Sequence, residues 1–192
     1  MIRTFIAIEL PSTVHKALDN FARELRKTEA PVSWVKANRI HLTLKFLGNV
    51  SAEQISGIQT TLQQIAASAL PFRLRPSGCG AFPSLKQMRV VWVGLYGDDE
   101  ILGRLQAKVE EAMAALDFKP EDRPFKPHLT LGRVKGRQHL RLLQEALLAN
   151  QQFQAEAFDV TELVLYKSEL RPEGAHYTPL FRAVFGGETA GE

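Results

Sequence analysis

Apolar positions along the chain switch between two periods, and the switches mark out its elements. Residues 3–10 (RTFIAIEL) read as a strand that Pro11 ends. Ser12 then stands at a helix N-cap position. Val14, Leu18, Phe21 and Leu25 recur at helical spacing and predict an amphipathic helix over residues 12–28. Pro31 and Asn38 bracket a short extended piece, residues 32–36, that contains Trp34. Residues 39–47 alternate again and stop at Gly48-Asn49. Ser51 and Gln54 form a capping-box pair, and Ile55, Ile58, Leu62 and Ile65 give a second helix its buried stripe. After Pro71, residues 72–76 read as a strand and residues 77–84 (SGCGAFPS) as a glycine-rich turn or loop.

The order then begins afresh. Residues 89–96 (RVVWVGLY) predict a strand. Asp98 or Asp99 is placed to cap a helix whose stripe is Leu102, Leu105, Val109 and Leu116. A proline-containing loop, residues 119–127, leads to a second alternating strand. Residues 138–149 predict a fourth helix, and residues 158–168 and 177–185 two last strands. The small polar residues 187–192 are expected to form a disordered tail.

Both alternating strands carry the same tetrapeptide, His41-Leu42-Thr43-Leu44 and His128-Leu129-Thr130-Leu131. Residues i and i+2 of a strand share a face, so each histidine lies beside a threonine with the leucines opposite. The histidines are 87 residues apart (128 − 41), as are Arg3 and Val90 in the opening strands (90 − 3). Equal offsets over several elements argue for a duplicated lobe. The expected fold is therefore α+β: two lobes related by a pseudo-two-fold axis around a central cleft, with the leucine faces packed beneath helices. Residues 1–186 are expected to form this single bilobal domain, with the two His-x-Thr faces meeting across the cleft.

At 192 residues the chain can bury a sizeable core, and 45% hydrophobic with 23% charged residues is ordinary for a soluble globular protein. A net charge of +3 leans toward anionic partners without itself showing nucleic-acid binding. The single cysteine, Cys79, excludes an internal disulfide and a cysteine metal cluster. No stretch approaches the roughly 18 apolar residues of a membrane helix. Residues 1–10 lack the layout of a signal peptide, since Glu9 interrupts the short apolar run. A cytoplasmic location, a monomer and no membrane partner are the expectations.

Two imidazoles facing each other suit in-line displacement at a phosphodiester. One takes a proton from water and the other gives one to the leaving oxygen. Each threonine hydroxyl can donate to a non-bridging oxygen and steady the charge that develops. This chemistry needs no cofactor. Two histidines with no Asp, Glu or Cys beside them in the motifs also make a poor metal site. An already strained diester, such as a 2′,3′-cyclic phosphate at an RNA end, suits such a pair best.

The paired segments RIHLTLKFLG (39–48) and KPHLTLGR (126–133) resemble the signatures of the two-histidine phosphoesterase superfamily. They are most similar to the bacterial and archaeal RNA 2′,3′-cyclic phosphodiesterases, also called 2′-5′ RNA ligases. RTFIAIELP, Trp34, GCGAFPS and the late LYKSEL and YTPL also resemble that branch, so the likeness covers residues 1–186. The resemblance implies a fold of two α+β lobes, each with an antiparallel sheet, around a central cleft. It implies opening of a cyclic phosphate to a 2′-phosphate end, and a reverse-type reaction that joins RNA ends, tRNA halves included. It also implies His41 as proton donor, His128 as acceptor, and Thr43 and Thr130 as phosphate ligands. The nearly equivalent motifs do not by themselves assign donor and acceptor.

Other features carry plainer readings. Lys126, Arg133, Lys135 and Arg137 form a basic face that is either solvated or holds an RNA backbone, with Arg133 the best candidate because it belongs to the motif. Phe46 and Trp34 are expected in the core, with base stacking the secondary reading. His15 and His139 are expected to be solvated. His176-Tyr177-Thr178 is a third His-x-Thr that lacks a counterpart at the 87-residue offset and is read as coincidence. Two other functions remain open. One is a phosphodiesterase for another small nucleotide, such as a 2′-5′ oligonucleotide or an ADP-ribose cyclic phosphate. The other is a non-catalytic RNA-end-binding module, against which the intact His and Thr residues speak.

Overall fold

A computed structural model describes residues 1–172 and 174–186; the tail expected at residues 187–192 lies outside the described residues. The fold is α+β. Two antiparallel sheets share one hydrophobic core with four helices.

The elements run β1 (Ile2–Ile8), α1 (Ser12–Arg26), β2 (Val32–Trp34), a 3-10 turn (Ala37–Arg39), β3 (Leu42–Val50), α2 (Ala52–Ala67) and β4 (Phe72–Ser84). They continue with β5 (Gln87–Gly97), α3 (Asp99–Ala114), β6 (His128–Val134), α4 (Leu140–Ala149), β7 (Phe158–Val160), β8 (Glu162–Arg171) and β9 (Gly174–Val184). The strand order is β3-β1-β8-β9 in one sheet and β2-β6-β5-β4-β7 in the other. The chain crosses between them. β4 follows α2 yet pairs with β5, while β8 follows α4 and returns to pair with β1. Neither sheet is complete without strands from both halves of the chain.

The helices form where the apolar stripes predict them. Val14, Leu18, Phe21 and Leu25 of α1 and Ile58 and Leu62 of α2 are buried in the shared core. The capping box closes α2: Gln54 N–H donates to Ser51 Oγ at 3.3 Å, and Ser51 N–H to Gln54 Oε1 at 2.9 Å. Ser12 is not the cap of α1. Pro11 occupies that place without a side-chain bond, and its carbonyl accepts the first intrahelical hydrogen bond from His15 N–H. Asp98 precedes α3, but its carboxylate accepts from Arg73 N–H at 2.7 Å, so the first-turn acids Asp99 and Glu100 face the helix N-terminus instead.

Several strand expectations are corrected. Residues 77–84 are not a loop; they are the second half of β4, paired with β5 down to Ser84↔Gln87. Gly78, at φ +69°, sits at the register slip between Ser77 and Cys79, while Gly80 serves close packing. A Cβ on Gly80 would lie 2.6 Å from Trp92 Cζ2, so only glycine lets that indole lie across the strand. Residues 158–168 are two strands rather than one, because β7 pairs with β4 and β8 with β1 in the other sheet. The last strand begins at Gly174, three residues before the alternating stretch, since it forms a hairpin with β8. β3 starts at Leu42 and continues through Gly48, whose φ of +73° sits where the register slips between Thr4 and Phe5.

Candidate active site

β3 and β6 share more than a tetrapeptide. Residues 41–47 and residues 128–134 show one and the same sequence of exposed and buried positions. Each strand also carries a β-bulge at the matching place. Ala7 pairs with Thr43 and Ile6 with Lys45, so Leu44 is the extra residue. Trp92 pairs with Thr130 and Val91 with Gly132, so Leu131 is the extra residue. A bulge shifts the side-chain alternation by one. Strict alternation would put Lys45 beside His41 and Thr43. The bulge turns Lys45 toward the helices, where it is 4% exposed, and brings Phe46 to the histidine face opposite Phe5. In β6 the same slip brings Arg133 to the histidine face and turns Gly132 inward.

Phe46 is therefore not a core residue. It is 60% exposed, with its ring 5.9 Å from that of Phe5. Trp34 is half-buried at the end of β2, with the Arg26 guanidinium 5.7 Å over its ring.

Both imidazoles are held in the same way. His41 Nδ1–H donates to the Arg39 carbonyl at 3.0 Å, and His128 Nδ1–H to the Lys126 carbonyl at 2.7 Å. A carbonyl only accepts, so Nδ1 carries the proton in each ring and Nε2 is left to accept or, when protonated, to donate.

Their surroundings differ. His41 stacks on Phe5 at 4.6 Å, meets Tyr177 edge-on at 5.0 Å and lies 6.1 Å from Tyr166. His128 meets the edge of Phe82 at 4.9 Å. Burial among the rings pushes the His41 pKa down to about 4, against the opposing pull of the Arg39 carbonyl. Tyr166 is steadied from behind: its hydroxyl donates to Glu9 Oε1 at 3.0 Å, and Arg182 holds the other oxygen of Glu9 at 2.7 Å. The Arg182 hydrogen bond keeps the Glu9 carboxyl below the usual range.

The depressed His41 pKa has a consequence for stability. Between about pH 4 and 6.5 the unfolded chain binds a proton there that the folded chain refuses. Stability from this group is fully present above about pH 6.5 and is lost as the pH falls through that window. The loss between pH 7 and pH 4 is about 3 kcal/mol. Denaturant unfolding of the wild type and a His41→Leu variant at both pH values checks this; the same pH dependence in the two proteins would refute it.

The chain path ties the two motifs together. β2 runs antiparallel along the edge of β6, and Val35 N–H donates to the Leu131 carbonyl at 2.8 Å. The chain is thus heading toward the His128 end of β6 when it enters the 3-10 turn and then reaches His41. Six residues separate Val35 from His41, a reach of at most about 20 Å. A Cβ on Gly132 would lie 2.5 Å from Val32 Cγ1, so glycine is what lets β2 lie this close. Burial raises the pKa of Tyr177 of β9, against the opposing positive charges of Arg133, Arg3 and Arg39. Positive charges from β1, the 3-10 turn and β6 thus act on a ring that touches His41.

The remaining candidates separate from this group. His15 is only partly solvated; its Nε2–H donates to the Ile40 carbonyl at 3.2 Å, next to His41. His176 and Thr178 pair with Glu169 and Lys167, on the face of β9 opposite to Tyr177. Among the described residues, no three His, Cys, Asp or Glu side chains gather as a metal site, and no helix is long and apolar enough to cross a membrane. Sequence reasoning misses Phe5, Phe82, Tyr166 and Tyr177 as neighbours of the histidines. Phe5 carries a signal, since it alternates with Arg3 and Ala7 in β1. The pairing of β8 with β1 leaves none.

The family model of the 2′-5′ RNA ligase superfamily matches residues 14–172. An RNA 2′,3′-cyclic phosphodiesterase of Methanothermobacter thermautotrophicus is 31% identical over 93% of this chain and 96% of its own. One of Thermotoga maritima is 31% identical over 97% of each. Among solved structures, LigT of E. coli complexed with 3′-AMP superposes with a TM-score of 0.79 at 28% identity, covering 97% of this chain and 99% of that one. TT0787 of Thermus thermophilus superposes at 0.80 and 28% identity, covering 98% and 100%. With the family model spanning most of its length and relatives matched nearly end to end, this chain belongs to the 2′-5′ RNA ligase superfamily.

Proposed function

We propose that this protein is an RNA 2′,3′-cyclic phosphodiesterase that opens the cyclic phosphate to a 2′-phosphate end. Support comes from relatives of that name over nearly the whole chain. The observation that carries the mechanism is the twin site: two imidazoles, each with Nδ1–H committed to the carbonyl two residues earlier and Nε2 left for proton transfer.

In this reading the cyclic phosphate lies between the two rings. His128 Nε2 takes a proton from the attacking water. His41 Nε2–H gives one to the departing 3′ oxygen, so the P–O3′ bond breaks as the bond to water forms. The Thr43 and Thr130 hydroxyls donate to the non-bridging oxygens, where negative charge grows. Arg133 holds the diester or the phosphate preceding it. His41 is neutral above about pH 4 in the free protein, so the bound anion must restore its proton. A negative charge within about 4–6 Å raises a pKa by about 1–3 units, and that is the coupling the mechanism uses. Phe46, exposed on the histidine face, offers a surface on which the terminal base stacks.

The same atoms, run in reverse with a ribose hydroxyl in place of water, join RNA ends through a 2′-5′ linkage, with tRNA halves as candidate substrates in the cytoplasm. The chemistry asks nothing of a cofactor or metal, and a single chain supplies every group. A 2′,3′-cyclic-phosphate oligonucleotide incubated in EDTA, with 2′- and 3′-phosphate products resolved, tests the reading. A 2′-phosphate product formed at undiminished rate is expected, and in this assay Phe46→Ala raises KM. A 3′-phosphate product, or activity lost to EDTA and restored by zinc, would sink the mechanism.

A further inference from the structure

Lys45 lies four residues after His41, and its side chain is 2% exposed. The bulge at Leu44 is what turns it away from the histidine face. Its Nζ pairs with Glu110 of α3 and also donates to the carbonyl of Lys119 at 3.0 Å. Lys119 stands nine residues before His128, on the segment that leads α3 into β6. One turn earlier on α3, Gln106 Nε2–H donates to the carbonyl of Leu44, the bulged residue itself, at 3.3 Å. Two polar contacts therefore bind the strand of the first histidine to α3, and a third binds it to the segment that leads from α3 to the second.

These contacts are poorly explained as stabilisers. A buried ion pair gains little over well-packed apolar residues of the same volume. Here one carboxylate oxygen of Glu110 is buried without a hydrogen-bond partner, which adds to the cost. The arrangement also has no counterpart in the other half. At the 87-residue offset stands Gly132, which carries no side chain to make such contacts, and β2 pairs alongside it. What the Lys45 contacts do supply is a fixed relation between β3 and the connection that enters β6, a strand of the other sheet.

We propose that Lys45 is a positioning residue that sets the separation of the His41 and His128 imidazoles. The proposal rests on the two-histidine reading above. In-line proton transfer demands that separation at the transition state, whereas binding of the diester by the threonines and Arg133 tolerates a small shift. Loss of the tether thus lowers kcat and leaves KM nearly unchanged, since misplacement by about 1 Å costs about 10²-fold.

The test uses neutral replacements, because Lys45→Met alone strands the Glu110 carboxylate. In the double variant Lys45→Met/Glu110→Gln, kcat on a cyclic-phosphate oligonucleotide is expected to fall about 10–100-fold, with KM within about threefold of wild type. Glu110→Gln alone keeps the bond from Lys45 to the Lys119 carbonyl and retains kcat within about threefold. A double variant with wild-type kcat, or one whose KM rises while kcat holds, overturns the proposal. If the double variant does not fold, Gln106→Met probes the same junction without touching a charge: lower kcat at constant KM is expected, and unchanged kcat overturns it. Full activity in His41→Ala would instead sink the two-histidine reading itself.

Discussion

Replacing His41 or His128 by alanine is expected to lower kcat by about 10²–10⁴-fold in each case. In the proposed mechanism the two residues act on opposite ends of one displacement, so the double variant should lose little more than the worse single one. The two replacements differ in their effect on the fold. His41 is packed between Phe5 and Tyr177, so alanine there opens a gap among aromatic rings and lowers stability. Among the described residues His128 touches the ring of Phe82 alone and is the cleaner probe. Activity is therefore to be compared with unfolding free energy measured on the same preparations. Near-wild-type turnover by either folded variant removes the acid–base pair as an explanation. The pH–rate profile gives a second check. It should be bell-shaped, with two apparent values that describe the coupled pair rather than either ring.

The largest expected loss of stability lies away from the substrate. Glu110→Ala leaves the Lys45 ammonium buried with the Lys119 carbonyl as its remaining partner. Breaking a buried pair in this way costs about 3–5 kcal/mol, a fall in Tm of about 6–20 °C for a domain of this size. A loss under about 1 kcal/mol would mean that water already reaches the site. The exposed pairs Lys27–Glu24 and Lys119–Asp122 make the contrast, since solvent screens them and their removal should change the Tm little. Glu110→Gln keeps an acceptor for Lys45 and should be the milder change.

Much of the site is legible in the residues themselves. A strand has a period of two, so His41 with Thr43 and His128 with Thr130 have to share a face. The two pieces recur at one offset, which marks them as counterparts. Where the fold departs from the sequence expectation, the causes are physical. Strict alternation places Phe46 with the leucines, in the core. The bulge at Leu44 reverses that, and a bulge leaves no periodic trace in one strand taken alone. Residues 77–84 read as a loop because glycine and proline usually mark turns. Here Gly80 makes room for Trp92 within a strand. His15 reads as solvated because its helix position is peripheral. The partner that buries it in part, the Ile40 carbonyl, belongs to another segment.

Local order followed from the sequence by itself. Helix stripes, the Ser51–Gln54 cap, and the pairing of imidazole with hydroxyl on each motif strand depend on neighbours a few residues away. Tertiary structure alone decided everything that joins distant segments. It placed β1 beside β3 and β8 beside β1, which surrounds His41 with Phe5 and Tyr166 and pulls its pKa down. It set the bulges that aim Phe46 and Arg133 at the histidine face, and it brought Lys45 to Glu110. The reason is that hydrogen bonds between strands and the burial of charge depend on which segments meet. Periodicity reports which side of an element is apolar, but not which element will cover it.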